Sequence, residues 1–329
     1  MSTLLSNQLI VADVGGTHAR FAIAGLNPHG EPELRDYHRF ACADYSSLAA
    51  IIRAYREMTD KQLNQANSQA SIAIAGVIQQ DQVRNSNLPW PVSRMQTMQE
   101  SGLAQLRFVN DFAALAWSVP VINAADALIL NPGNAPALVG PVLVVGPGTG
   151  LGAAVWLPGP PSQVLATEAG HAALAAGNPQ EALLLAQCWK STPHVDNEMF
   201  LSGPGLLRLY RTLALMQGKA STLETPAQVS AAAIAGQDSI AQEAVETFCA
   251  LLGSLLGDLA IYYGAQAVYL AGGIPAQISE LLQKSDFRNR FLNKGVMRAV
   301  VENVPVYLIE PGQLALLGAA QWNWQTGVR

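Results

Sequence analysis

Charge is scarce in this chain. Asp, Glu, Lys and Arg make up 13% of its 329 residues, against roughly 25% in an ordinary soluble protein. The scarcity is uneven. No Lys or Arg occurs between Arg107 and Lys190, and the acids there are Asp111, Asp126, Glu168 and Glu181. The net charge of −5 excludes the basic surface that a nucleic-acid binder needs to displace counterions. Aromatic residues are also few, at 7%, although half the chain is apolar, so much of the apolar content is alanine. Such a chain buries large cores, and intrinsic disorder, which needs low hydrophobicity and high net charge, is excluded.

Cysteine is scarce too. Cys42, Cys188 and Cys249 are far apart and odd in number, so neither a disulfide framework nor a zinc knuckle is expected. A reducing, cytoplasmic location fits. No basic residue precedes Arg20, so the charged start of a signal peptide is missing. One stretch imitates a membrane span: Phe248 to Ile274 carries a single charge, Asp258, and contains Gly253-x-x-x-Gly257, a spacing used by packed membrane helices. It divides at Tyr263-Gly264 into a helix and a strand-like Val268–Ala271, short of the roughly 20 residues a span needs. The expectation is a buried helix feeding a buried strand, with no membrane association.

What is present reads as alternating strands and helices. Apolar runs predict strands at Leu9–Val14, Phe21–Ala24, Ser71–Val77, Leu106–Asn110, Val142–Val145, Ala153–Leu157, Val268–Ala271 and Val304–Ile309. Helices are predicted over Tyr45–Met58, Phe112–Val119, Glu181–Lys190, Gly205–Gln217 with Ser202 as cap, Thr225–Gly236, Ile240–Tyr263, Ala276–Gln283 and Leu314–Trp322. Alternation of this kind argues for an α/β fold, and the length for about two domains. A strand, glycine turn and strand occur at 9–24 and again at 142–157, an internal echo of one plan used twice.

Three glycine loops, at 15–17, 148–150 and 272–273, are suited to anions. Without Cβ the backbone amides approach closely, and successive amides form a nest. A nucleotide phosphate chain is a natural common ligand. The P-loop pattern fails, because the Gly-Lys pair is Gly218-Lys219 and position 213 is Leu. The dinucleotide fingerprint occurs at Gly148-x-Gly150-x-x-Ala153, but Pro158, Pro160 and Pro161 stop the helix that should follow. Asp13, at the end of a strand beside the first loop, suits either a Mg²⁺ ion or a turn bonded to its own backbone. Asn110-Asp111 also ends a strand. Asp111 is either a proton acceptor or part of a helix cap. Glu168-Ala169-Gly170-His171 lacks metal-ligand spacing. With Glu198, ahead of Ser202-Gly203-Pro204-Gly205, it looks suited to sugar hydroxyls. The basic run Lys284, Arg288, Arg290, Lys294 and Arg298 is expected to be a solvated helix face.

Taken in order, Asp13-Val14-Gly15-Gly16-Thr17-His18-Ala19-Arg20, Asn110-Asp111-Phe112, Gly148-Thr149-Gly150-Leu151-Gly152, Glu168-Ala169-Gly170-His171, Leu201-Ser202-Gly203-Pro204-Gly205 and Leu270-Ala271-Gly272-Gly273-Ile274 resemble bacterial glucokinases of the hexokinase–actin superfamily, over nearly the whole chain. The resemblance implies an α/β, two-lobed hexokinase/actin-like (ribonuclease H-like) fold with a central cleft. Residues 1–121 plus 311–329 would form the small lobe and 122–310 the large one. It implies an enzyme, a glucokinase, that uses ATP and Mg²⁺ to phosphorylate D-glucose at O6, the first step of glycolysis, in a cytoplasmic homodimer.

In that scheme Asp111 is the general base. Asn110, Asp111, Glu168, His171 and Glu198 hold the sugar. Asp13, Gly15, Gly16, Thr17, Gly148, Thr149, Gly272 and Gly273 face the nucleotide, with Asp13 meeting Mg²⁺ directly or through water. The alternatives are a kinase for mannose, fructose or an N-acetylhexosamine, and a sugar-responsive regulator on the same fold. The regulator would need a helix-turn-helix ahead of the first loop, which starts at Asp13 and leaves no room. Two residues depart from the family pattern: Ala169 stands where Gly is frequent, and His18 where Asn is frequent. Ala172–Asn178 has no Cys, so the zinc motif of related ROK-type proteins is not expected.

Overall fold

The computed structural model describes residues 8–59, 68–84, 88–124, 127–134 and 139–327. The chain divides into two compact units. One comprises Met1–Ile122, Gly159–Val164 and Pro311–Arg329; the other comprises Asn123–Pro158 and Leu165–Glu310.

The first unit is built on strands β1 (Leu9–Val14), β2 (His18–Leu26), β3 (Pro32–Ala41), β4 (Gln69–Ile74) and β8 (Gln105–Asn110), in the order β3-β2-β1-β4-β8. A small sheet of β5 (Val77–Gln79), β6 (Gln82–Arg84) and β7 (Val92–Ser93) sits beside it in sequence. β2 runs antiparallel to its neighbours β1 and β3, while β1, β4 and β8 are parallel. Helices cover both faces, so the strands read as nearly continuous apolar runs. On one face α1 (Leu48–Thr59) places Leu48, Ile51, Ile52 and Tyr55 against Ile10, Phe21 and Ile72. On the other, α3 (Asp111–Trp117) and α12 (Leu314–Thr326) pack Ala113, Ala114, Leu316, Ala319 and Ala320 against Val11, Ala22 and Ala73. Small residues let α3 and α12 approach closely: a Cβ on Gly318 would lie 1.7 Å from the Ala114 carbonyl oxygen. Helix α2 (Arg94–Ser101) completes the unit, its N-terminus capped by Ser93.

The second unit repeats the plan. Strands β9 (Leu128–Asn131), β10 (Val142–Pro147), β11 (Leu151–Leu157), β12 (Gln163–Thr167, of which Leu165 onward belongs to this unit), β13 (Ala267–Leu270) and β14 (Val306–Leu308) are ordered β12-β11-β10-β13-β14-β9. β10 and β11 form an antiparallel hairpin, and β10, β13 and β14 are parallel. The internal echo at 9–24 and 142–157 is therefore a shared topology, with β9 added at one edge. Helices α4 (Pro179–Trp189), α5 (Gly203–Met216), α6 (Pro226–Ile234), α7 (Ser239–Tyr263), α8 (Gly273–Gln277), α9 (Ser279–Lys284), α10 (Phe287–Leu292) and α11 (Arg298–Val301) complete it.

Helix α7 is the axis of this unit's core. It is long and apolar enough to cross a membrane, yet 72% of its most apolar window is buried within the protein, where it packs Phe248, Leu252 and Leu256 into the main cluster. Its Gly253-x-x-x-Gly257 spacing serves close packing against α10 within the protein. A Cβ at Gly253 would meet the Phe287 carbonyl oxygen at 2.2 Å, and one at Gly257 would meet the Phe291 carbonyl oxygen at 2.5 Å. Gly264, left-handed at φ 58°, ends the helix.

Several local expectations are corrected. The predicted helix over Ala276–Gln283 starts at Gly273 and is broken into α8 and α9 by Ile278, which leaves helical geometry and is buried. Val77 belongs to β5 rather than to the preceding strand, because Gly76, at φ 110°, turns the chain between them. The helix predicted over Phe112–Val119 runs instead over Asp111–Trp117, and Val119–Val121, with Pro120 inside it, forms a short 3₁₀ turn. Strand β3, rich in charge and without apolar alternation, was not expected; it forms at the sheet edge by pairing with β2, where charged residues discourage pairing between molecules.

The basic run is not a uniformly solvated face. Arg290 is buried with Glu181 in a bidentate pair at 2.6 and 2.9 Å. Lys294 Nζ donates to Asp258 at 2.7 Å and its side chain is almost wholly covered.

Candidate functional site

In the first unit, three parallel strands end at one edge of the sheet. Val14 lies opposite Ile74, and Ile74 opposite Asn110. The glycine turn that follows β1, the Ala75-Gly76 turn that follows β4 and the Asn110-Asp111 pair that ends β8 thus share the carboxyl edge, where open α/β sheets place ligands.

The first turn is narrow and well held. Gly15 N–H donates to the His18 carbonyl at 3.0 Å, and Cys42 N–H donates to the Thr17 carbonyl at 2.9 Å. Thr17 is exposed at its tip, and Gly15 and Gly16 are half-buried. Asp13 points from β1 to Arg20 on β2, whose Nη1 donates to Oδ2 at 2.7 Å. Burial raises the Asp13 carboxyl above the usual range, while the Arg20 charge and hydrogen bond pull it down. His18, one of the two departures from the family pattern, has its Nε2 3.0 Å from Arg39 Nη2.

Asn110 and Asp111 lie where β8 passes into α3. Asn110 is the cap of α3: its Oδ1 accepts from Ala113 N–H at 3.0 Å. Asp111 is the first residue of α3, half-buried, with Oδ1 accepting from Phe112 N–H at 3.0 Å. A carboxylate in the first helical turn is favoured there by the helix dipole.

The second unit gathers the remaining candidate residues into one cluster. Gly148, Thr149 and Gly150 form the tight turn between β10 and β11, closed by Gly148 N–H donating to the Gly150 carbonyl at 2.7 Å. The return strand β11 stands where a dinucleotide fold would have a helix. Gly203 N–H, at the start of α5, donates to the Gly148 carbonyl at 2.8 Å, and Ser202 caps that helix through Gly205 N–H at 3.0 Å. Gly272 takes φ 108°, and a Cβ on it would lie 2.4 Å from the Pro147 carbonyl oxygen. The first residue of α5 and the 272–273 turn therefore lie against the end of β10 and the 148–150 turn. In the sequence the Ser202–Gly205 segment is legible as a helix cap but not as part of a site. Its signal was a capping serine ahead of two glycines.

Glu168, Ala169, Gly170 and His171 are adjacent to the same hairpin. Ala169–His171 form a 3₁₀ turn that follows the exposed Glu168. Gly170 passes so close to β11 that a Cβ would meet the Leu151 carbonyl oxygen at 2.5 Å. Ala169 has a negative φ, as only Asp36 and Gln80 among the described non-glycine residues are positive, so its methyl group is accommodated. The segment 194–198 runs beside this turn. Glu198 N–H donates to the Gly170 carbonyl at 2.8 Å, and Asn197 Nδ2 donates to the Ala169 carbonyl at 2.9 Å. Glu198 Oε2 accepts from Leu151 N–H at 2.7 Å, so one carboxylate oxygen is committed to the hairpin. His171 is largely exposed, with Nδ1 3.4 Å from Asp196 Oδ2. Among the described residues no three His, Cys, Asp or Glu side chains converge as a metal site.

Comparison with known proteins places these elements in a wider group. A sequence-family model described as Glucokinase matches residues 10–326. A protein named glucokinase-like protein from Xylella fastidiosa (strain 9a5c) is 44% identical over 319 residues, spanning 95% of this chain and 93% of that protein. The crystal structure of a glucokinase from an Antarctic psychrotroph superposes with a TM-score of 0.84 at 35% identity, covering 96% of this chain and 98% of that one. The structure of a ROK family glucokinase from Streptomyces griseus, in complex with glucose and AMPPNP, is a likeness of fold: TM-score 0.59 at 19% identity, covering 95% and 98% of the two chains.

Proposed function

Because the chain belongs to the glucokinase family, a group of glucose-phosphorylating kinases with a hexokinase/actin-like α/β fold, we propose that it transfers the γ-phosphoryl group of ATP to the 6-hydroxyl of D-glucose, giving glucose 6-phosphate and ADP. The observation that carries this reading is the placement of Asp111 at the carboxyl edge of three parallel strands, with the Gly15–Thr17 turn on the same edge.

Phosphoryl transfer relies mainly on positioning and charge stabilisation. Asp111 accepts the O6 proton as the bond from O6 to phosphorus forms and the bond to the leaving ADP breaks. Asn110 fixes the start of α3 and so the place of Asp111, and also meets the sugar. Glu168, His171 and Glu198 accept or donate hydrogen bonds to the other sugar hydroxyls. The backbone amides at Gly15, Gly16 and Thr17, and at Gly148 and Thr149, face the phosphates. Gly272 and Gly273 lie near the adenosine. The start of α5 beside Gly148 contributes the positive end of a 14-residue helix to the phosphates. The ATP analogue held by the Streptomyces griseus neighbour supports ATP as donor.

Magnesium fits the donor chemistry. The ion is usually held by one or two carboxylates, with waters and substrate phosphates completing its shell. Asp13 would hold it, directly or through water, from the end of β1 beside the Gly15–Thr17 turn. When bound, Mg²⁺ supplies neutralisation of the phosphate charge. The division into lobes at 1–121 plus 311–329 and 122–310, a homodimeric state, a cytoplasmic location and a place at the first step of glycolysis belong to the same reading.

The test is an ADP-release assay with ATP and Mg²⁺ across glucose, mannose, fructose and N-acetylglucosamine, beside a polyphosphate control. Glucose is expected to give the highest kcat/KM. Asp111→Asn is expected to keep glucose binding and to lose turnover by about 10²–10⁴-fold, the usual worth of general-base assistance. Near wild-type turnover in that variant would refute the assignment.

A further inference from the structure

The His171 ring is held from behind by a residue that the sugar-binding set does not include. Asp196 Oδ2 lies 3.4 Å from His171 Nδ1, and Asp196 Oδ1 accepts from Met199 N–H at 2.8 Å. The carboxylate is thus anchored by the backbone through one oxygen and turned toward the imidazole with the other. Its side chain is 21% exposed, against 61% for His171. The backbone around both residues is joined as well. Ala173 and Asp196 form a β-bridge, and His194 Nε2 sits 2.9 Å from the His171 carbonyl oxygen.

We propose that Asp196 is a positioning residue that fixes the tautomer and the aim of His171 for a sugar hydroxyl. The inference rests on the reading of His171 as a sugar-binding residue. A carboxylate only accepts, so it selects the form of the neutral imidazole with its proton on Nδ1. Nε2 then carries the lone pair and accepts from a sugar hydroxyl. The 3.4 Å separation is at the long end of hydrogen bonding, as is common for site contacts that tighten when substrate arrives. The segment 194–198 then has two functions at once: Glu198 reaches the hairpin and the sugar, and Asp196 sets the histidine.

Asp196→Asn isolates the effect. The amide oxygen keeps the Met199 contact, and the amide NH₂ is left to face His171 Nδ1. It favours the opposite tautomer, with the proton on Nε2. The expected result is a rise in KM for glucose of about tenfold, the worth of one hydrogen bond, with kcat within about twofold, as for lost ground-state binding. Thermal stability should be unchanged. In a His171→Ala background the same substitution should add nothing.

Nitrogen-15 NMR of His171 reads the tautomer without any assay. The wild type should show the proton on Nδ1, and Asp196→Asn should show it on Nε2. An unchanged tautomer in the variant would overturn the proposal. So would a KM rise of equal size with His171 already removed, since Asp196 would then act on the fold alone. If the wild-type enzyme phosphorylates glucose but Asp196→Asn leaves KM unchanged, the positioning role fails and the glucose kinase reading stands. If glucose is not a substrate, that reading fails, and the NMR result still decides the role of Asp196.

Discussion

Arg290 and Glu181 show what a single buried pair contributes. The guanidinium donates twice to the carboxylate and once more, through Nε, to Ser254 Oγ at 3.0 Å. Glu181 also accepts from Gly177 N–H at 2.6 Å and from Asn178 Nδ2 at 3.0 Å. Every strong acceptor of the carboxylate is thus used, and the pair ties the loop after His171 to α10. Removing one partner strands the other charge in the core. Arg290→Met is therefore expected to destabilise the protein by about 3–5 kcal/mol, read as a shift in the guanidinium unfolding midpoint. Converting Glu181 and Arg290 together to apolar residues should cost less than either single change. In the sequence, Arg290 reads as one more cation in a basic run, because its partner is 109 positions away. Asp111 is different. Its position at the end of an apolar strand is visible in the sequence, and the structure adds that Asn110 is the cap of α3 and Asp111 its first residue.

At the scale of elements, glycine decides how closely helices approach. In an exposed helix, Gly→Ala stabilises by roughly 0.5–1 kcal/mol through backbone entropy. At Gly318 the sign should reverse, because the new methyl would overlap the Ala114 carbonyl and push α12 from α3. A net loss of about 1–3 kcal/mol is expected, typical of overpacking, and a thermal melt of Gly318→Ala against wild type checks it. A stabilised variant would mean that the two helices have slack. The sequence marks strands and helices with apolar periodicity well, and α7 and both glycine hairpins are readable from it. It does not mark β3, whose charged residues carry no alternation and which is a strand only because β2 offers an edge. Nor does it show the break at Ile278, a buried residue with non-helical dihedrals between α8 and α9.

At the scale of the molecule, sparse charge and abundant alanine describe sheets covered by helices. The same burial governs the cysteines. Cys42 and Cys249 have no exposed surface and Cys188 very little. Burial raises all three thiols, Cys249 up to about 12. The reactive thiolate is therefore rare in the folded state. The native protein should not react with a water-soluble thiol reagent at pH 8, and all three cysteines should react in guanidinium. Raising the pH to 9 should not release Cys249, whose thiol, pushed up to about 12, stays protonated there. Fast labelling of one cysteine in the native state would contradict the packing.

By itself the sequence determined the alternation of strands and helices, the repeated strand–turn–strand plan and the glycine loops. These are local properties: side-chain size, backbone freedom and apolar spacing act over a few residues. Only the tertiary structure decided which loops meet. Gly203 bonds to Gly148, Gly272 presses on Pro147, and Glu198 reaches Leu151. Those contacts join segments far apart in the chain and exist only once the sheet brings its strand ends together. The same holds for the charges. A carboxylate or guanidinium in the sequence is only a titratable group. Whether it is a solvated surface charge, a buried pair such as Arg290–Glu181 or an anchored acceptor such as Asp196 depends on the water that folding removes and the partner that folding supplies.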